Sequence, residues 1–202
     1  PLVLVASLGV SYGIRGNRMT LPSRLADALG ADRVQVPTQP WTDIGGDDIG
    51  TPLCVVSATS TDDVIAAITL AREHNATVVP VGERTAYWSP IRLTNAIALD
   101  TGGLRGKTRC DDVITVGAGE PVRPLDTWLR SQGLALPVHP HSFGETSVGA
   151  MVATGLTSGI GMAQGGIDRW VTGLTVVTGK GSLLTTGTSA GFSNTPPFLR
   201  DG

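Results

Sequence analysis

The chain has 202 residues, a formal net charge of -2 and only 16% charged residues, with no Lys/Arg-rich run. The electrostatic footprint of a nucleic-acid binder is therefore missing, while the length is enough to bury a core without a disulfide or a metal. Cys54 and Cys110 stand far apart, with neither a CxxC spacing nor a histidine cluster, which removes zinc and a disulfide framework from consideration and leaves Cys54, inside the apolar LCVV, as a buried thiol.

The opening PLVLVASLGV is apolar but far shorter than the roughly 20 residues that span a bilayer, so no membrane span is expected. It lacks a basic leading region, and Met19 would open the chain naturally, so residues 1–18 read as an upstream or cloning-derived extension of a protein expected in the cytoplasm. Leu21, Leu25, Ala28 and Leu29 recur at helical spacing before Gly30, which predicts a short helix with a glycine cap. VQVPTQPWTDIGGDDIGTP mixes prolines, glycines and acids and reads as loop.

A clearer unit follows. LCVVS predicts a strand, STSTDDVIAAITLAREHN a helix, and ATVVPVG a second strand. Ser60 or Thr61 caps the helix, Asp62 and Asp63 suit its positive end, Val64, Ile68 and Ala71 line one face, and Asn75 closes it. Such a βαβ unit carries parallel strands and a right-handed crossover. The loop VPVGERTAYWSP leaves the C-terminal end of its second strand, where α/β folds place ligands.

AIALD and VITVGAG predict further strands. Pro121 opens a helix in its favoured first-turn position, with Val122, Leu125 and Leu129 as the buried stripe and Gly133 as its end. ETSVGAMVATG predicts a small-residue helix capped by Thr146 or Ser147, and LTVVTGKGSLLTTG a hairpin around Gly179, Lys180 and Gly181. The order implies a βαβ lobe over residues 19–105 and a more antiparallel α+β lobe over 106–202, with a cleft between them.

Two glycine-bearing stretches face that implied cleft: VPVGERTAYWSP and TSVGAMVATGLTSGIGMAQGG. Backbone N–H groups in such loops can cradle phosphate oxygens without lysine, which suits a pyrophosphate. Neither stretch has the spacing of GxGxxG after a first strand or of GxxxxGK[ST], so the Rossmann and P-loop readings fail. Taken alone, each reads first as an ordinary turn.

Together, and in this order, the segments resemble a known family. PLCVVSATSTDDVIAAITLAREHNATVVPVGERTAYW, VITVGAGEPVRPLDTWLRSQGLALPVHP, TSVGAMVATGLTSG and GGIDRWVTGLTVVTGKGSLLTTG are similar to the FAD-binding domain of the vanillyl-alcohol oxidase and p-cresol methylhydroxylase superfamily, the FAD-linked oxidases. The resemblance covers residues 50–187 and implies a two-lobed α+β fold of the PCMH type, with FAD extended between the lobes. It places Pro80, Val81, Gly82, Glu83, Arg84, Thr85, Ala86 and Tyr87 in the pyrophosphate loop. Thr146, Ser147, Gly149, Ala150 and Thr154 would lie along the pyrophosphate and ribityl side, with the turn holding Ser158, Gly159 and Gly161. Pro140 would lie near the flavin and Val176 near the adenine.

The chain departs from many members at Glu83 and Arg84, where glycines are common, and at Thr85, where some members carry a histidine bonded to the flavin. No histidine lies between Val79 and Pro90, so non-covalent FAD is expected. Arg84 pairs either with a phosphate or with surface groups. His139 and His141 are either polar contacts to flavin or substrate, or solvated loop residues. Tyr87 and Trp88 pack either on the cofactor or in the core, and Asp168 and Arg169 are structural.

The resemblance implies two-electron oxidation of a small alcohol, hydroxy acid or polyol by hydride transfer to flavin N5, in an enzyme whose substrate domain is missing here and lies in a longer chain or a separate one. No catalytic base is assigned. An electron-transferring or NADPH-dependent flavoprotein, and a scaffold that has lost FAD, stay open as alternatives.

Overall fold

The computed structural model describes residues 19–43, 45–84, 91–140, 144–156 and 165–187. Residues 1–18, Thr85, Ala86, Tyr87, Trp88, His141, Ser158, Gly159 and Gly161 lie outside the described residues. The described chain is a mixed α+β fold of two compact units, one formed by residues 19–103 with Val177–Ser182, the other by Leu104–Val176 with residues 183–187.

In the first unit, helix α1 (Leu21–Leu29) buries Leu21 and Leu25 and ends at Gly30, whose φ of 108° suits a residue without a side chain. The stretch expected as loop contains three short strands: β1 (Val34–Gln35), β2 (Trp41–Thr42) and β3 (Asp48–Gly50), the last two paired antiparallel. Strands of two or three residues carry too little periodicity to be read locally; their partners define them.

The βαβ unit comprises β4 (Cys54–Ser57), α2 (Thr61–Glu73) and β5 (Thr77–Val81). Ser60 is the N-cap: its Oγ accepts the Asp63 N–H at 3.1 Å while Asp63 Oδ2 accepts the Ser60 N–H at 3.0 Å, a reciprocal box that satisfies two otherwise orphaned donors. Val64, Ala67, Ile68 and Ala71 form the buried stripe of α2. Complete burial of Val64 and Ile68 stabilises by about 1.5–3 kcal/mol each.

β4 and β5 are not neighbours. Strand β6 (Ala96–Asp100) runs between them, parallel to both, giving the sheet order β1-β4-β6-β5. The four residues Ala96 to Leu99 are fully buried, as an unbroken apolar run in a central parallel strand should be. β5 is an edge strand, and this is why it tolerates Pro80, opposite Leu99: the missing N–H costs no second ladder.

The second unit begins with an antiparallel pair, β7 (Lys107–Cys110) and β8 (Val113–Val116). Helix α3 (Val122–Arg130) takes Pro121 as its N-cap, one position before the expected first turn, and buries Val122, Leu125 and Leu129. Gly133 at φ 73° follows, and the Leu134 N–H returns to the Leu129 carbonyl at 3.0 Å. Helix α4 (Val148–Ala153) is capped by Ser147. Val122, Val138, Met151 and Ile167 form the core between these elements. The pair β9 (Gly173–Val177) and β10 (Leu183–Gly187) closes the described chain. Among the described residues, no helix is long and apolar enough to cross a membrane.

Candidate cofactor-binding site

The end of β5 delivers the first glycine-bearing loop. Val81 still pairs with Asp100, and its carbonyl accepts the Thr101 N–H at 2.9 Å and the Thr101 hydroxyl at 3.1 Å, so the strand is held to its last residue. Gly82 is half-buried, and Glu83 and Arg84 are exposed. Among the described residues, no acceptor takes the backbone N–H of Gly82, Glu83 or Arg84. Arg84 has φ 56°, a left-handed conformation uncommon for a side chain of its size. A left-handed residue in a turn is one half of the arrangement that gathers N–H groups around an anion. The guanidinium of Arg84 lies 3.9 Å from the centroid of the Trp41 ring, a partner that neither of the two expected pairings includes.

The second stretch is built differently. The N–H groups of Val148 and Gly149, the first two of α4, donate to the carbonyls of Glu120 at 2.9 Å and Ala118 at 2.7 Å. The Ala150 N–H donates to Ser147 Oγ at 3.4 Å. Backbone donors that a bare helix start would offer are thus committed within the protein. Gly149 is required by its own surroundings, since a Cβ there would stand 2.8 Å from the Ala118 carbonyl oxygen. Thr146 and Ser147 are buried, whereas Thr154 is exposed and its hydroxyl donates to the Ala150 carbonyl at 2.8 Å. Pro140 is buried, and Val176 is 3% exposed inside β9.

Two buried carboxylates brace this second unit. Glu120 accepts the Lys107 ammonium at 2.5 Å and the Gly106 N–H at 3.3 Å. Burial alone would raise its pKa, but the Lys107 and Gly106 hydrogen bonds and the charges of Lys107 and Arg105 together hold it below the usual range. Asp126 accepts Arg130 Nε at 2.6 Å and the Leu136 N–H at 3.2 Å, with His139 Nε2 at 3.8 Å. Burial again opposes ionisation, and those two hydrogen bonds with the charges of Arg130 and His139 outweigh it, so its pKa is also lowered. His139 thus faces a carboxylate of its own unit. Asp168 and Arg169 are exposed in a short 3-10 turn.

Residues 52–187 match the family model described as an FAD binding domain, and the chain belongs to that family, the FAD-binding domain of the FAD-linked oxidases of the PCMH type. It is 33% identical over 138 residues to D-2-hydroxyglutarate dehydrogenase of Xanthomonas citri pv. viticola, covering 66% of this chain and 29% of that protein. It is 31% identical over 132 residues to D-arabinono-1,4-lactone oxidase of Eremothecium gossypii, covering 62% of this chain and 24% of that protein. Among solved structures, an alkyldihydroxyacetonephosphate synthase superposes with a TM-score of 0.73 at 17% identity, over 96% of this chain and 40% of that one. Physcomitrella patens BBE-like 1 variant D396N superposes with a TM-score of 0.70 at 17% identity, over 84% of this chain and 38% of that one. At such identities the likeness shows the fold alone. The chain spans less than a third of the curated relatives it matches.

The residues present fit the cofactor that the family implies. The N–H groups of Gly82 to Arg84, without acceptors among the described residues, and the left-handed turn at Arg84 are of the kind that can accommodate a diphosphate. The contact of Trp41 with Arg84 carried no sequence signal: Trp41 sits among prolines and glycines, where only an isolated large aromatic in a polar loop could have singled it out.

Proposed function

We propose that residues 19–202 are the flavin-carrying part of an oxidoreductase that oxidises a small hydroxy acid or other alcohol, holding FAD without a covalent bond. The observation that carries this reading is the family match over residues 52–187, which includes a β5 loop whose amides are free for a diphosphate among the described residues. The names of two relatives, a 2-hydroxy-acid dehydrogenase and a lactone oxidase, support the substrate class.

When bound, FAD supplies a hydride acceptor at ring atom N5. The chain's own part is binding and orientation. The amides of Gly82, Glu83 and Arg84 take diphosphate oxygens, with Pro80 and Val81 fixing where the loop starts. Thr146, Ser147, Gly149, Ala150, Thr154 and Pro140 belong to the same proposed set, the Gly149 and Ala150 amides being engaged within the protein. Thr85 in place of a histidine supports a non-covalent flavin, and Ala86, Tyr87, Ser158, Gly159, Gly161 and Val176 complete the proposed set. The substrate groups and the proton acceptor belong to a part of the enzyme outside these residues, in a further domain or a second chain; the share of its relatives that the chain spans supports this.

Purified protein should show flavin absorbance or acquire it with added FAD, and acid precipitation should leave the flavin in the supernatant. A chain that takes up no FAD would favour the scaffold alternative, and flavin in the pellet would refute non-covalent binding. Reoxidation of the reduced complete enzyme by oxygen or only by another acceptor separates oxidase from dehydrogenase.

A further inference from the structure

We propose that Trp41 is a positioning residue for the cofactor loop, holding Gly82–Arg84 in its diphosphate-receiving shape through the stack its ring makes with the Arg84 guanidinium. The inference rests on the functional reading above. Trp41 precedes residues 52–187, so the family match assigns it nothing.

Three observations converge on it. Arg84 adopts φ 56° without being glycine, a turn that costs energy for a residue with a side chain and that a contact of that side chain can offset. Its guanidinium lies 3.9 Å from the Trp41 centroid, and among the described residues it makes no ion pair. The ring itself is anchored. Trp41 packs with Ile49 and Val81 on the cluster of Val79, Leu93 and Ala96, and the Leu93 N–H donates to the Ile49 carbonyl at 2.7 Å.

The register of β2 against β3 shifts between Trp41 and Thr42, the kind of irregularity that re-aims a side chain. A rigid aromatic face fixed to the β5 core therefore meets a cation three residues beyond the strand end. The stack restrains the turn and so the directions of the intervening amides. It also draws the Arg84 charge onto the ring, which leaves diphosphate recognition to the backbone.

The test uses the full chain and FAD, with affinity followed by flavin fluorescence, and backbone NMR order parameters at Gly82–Arg84 measured without FAD. Trp41→Ala removes the ring, and Trp41→Phe keeps an aromatic face. Arg84→Asn keeps a residue that tolerates the left-handed turn but removes the guanidinium. Trp41→Ala and Arg84→Asn should each weaken FAD binding about two- to fivefold, the scale of one exposed cation–π contact, and the double variant no further than either alone. Both should lower the order parameters at Glu83 and at position 84, and Trp41→Phe should restore most of each property.

Additive losses, or unchanged affinity and loop order in Trp41→Ala, would overturn the proposal. So would a loss confined to Arg84→Asn, since Arg84 would then act on the diphosphate directly. Were Trp41→Ala not to fold, Arg84→Asn compared with Trp41→Phe decides the question of loop order at an exposed side chain. A wild-type chain that takes up no FAD refutes the functional reading and the cofactor role of Trp41 with it, while the order parameters still decide whether Trp41 holds the loop.

Discussion

Replacing Gly149 by alanine puts a Cβ 2.8 Å from the Ala118 carbonyl oxygen and 3.0 Å from the Ala118 Cβ. Neither neighbour can easily yield: Ala118 is 2% exposed, and its carbonyl accepts the Gly149 N–H at 2.7 Å. The added methyl must push the start of α4 away and strain that hydrogen bond. Overpacking of this kind costs about 1–3 kcal/mol, and alanine's advantage over glycine in a helix returns up to about 1 kcal/mol. The net loss of about 1–2 kcal/mol corresponds to a fall in Tm of about 2–8 °C for a chain of this size. Thermal and urea unfolding of the FAD-free chain, followed by far-UV circular dichroism, measures it. An unchanged FAD-free Tm combined with a marked loss of FAD affinity would refute the packing argument and show that the glycine instead lets the cofactor approach.

Asp63→Ala removes the reciprocal cap with Ser60, two hydrogen bonds from Thr59 and the Arg33 ion pair at 2.8 Å; urea stability should fall by about 2 kcal/mol. Glu120 and Asp126 have folded pKa values below their unfolded ones, so in acid the unfolded chain binds more protons and stability drops with pH. Their contribution is complete above the unfolded carboxylate value of about 4 and is lost as pH falls through the lower folded values. Glu120→Gln should therefore be less stable at neutral pH and show a shallower acid limb in a urea titration series; a parallel limb would contradict the Lys107 coupling. Burial pushes the Cys54 thiol up to about 11, whereas Cys110 is exposed. Iodoacetamide at about pH 8 should label one cysteine in the folded chain and two in urea.

What could be read from residues alone was whatever short-range periodicity writes into consecutive positions. The helix over Leu21–Leu29, a cap at Ser60 or Thr61 (the structure takes Ser60), the stripe of Val64, Ile68 and Ala71, and the β9–β10 hairpin each follow from residues within a turn or two of one another. The order of the glycine-bearing segments was enough for the family and for the α+β class.

Tertiary structure alone placed β6 between β4 and β5, because strand order depends on pairings between distant residues. It also separated two glycine-bearing stretches that look alike in sequence. Gly82 opens a loop whose amides have no acceptor among the described residues, while Gly149 is filled by Ala118. The stack of Trp41 on Arg84 joins residues 43 positions apart. No local pattern encodes it, because a cation and a ring recognise each other only once the chain has brought them within reach.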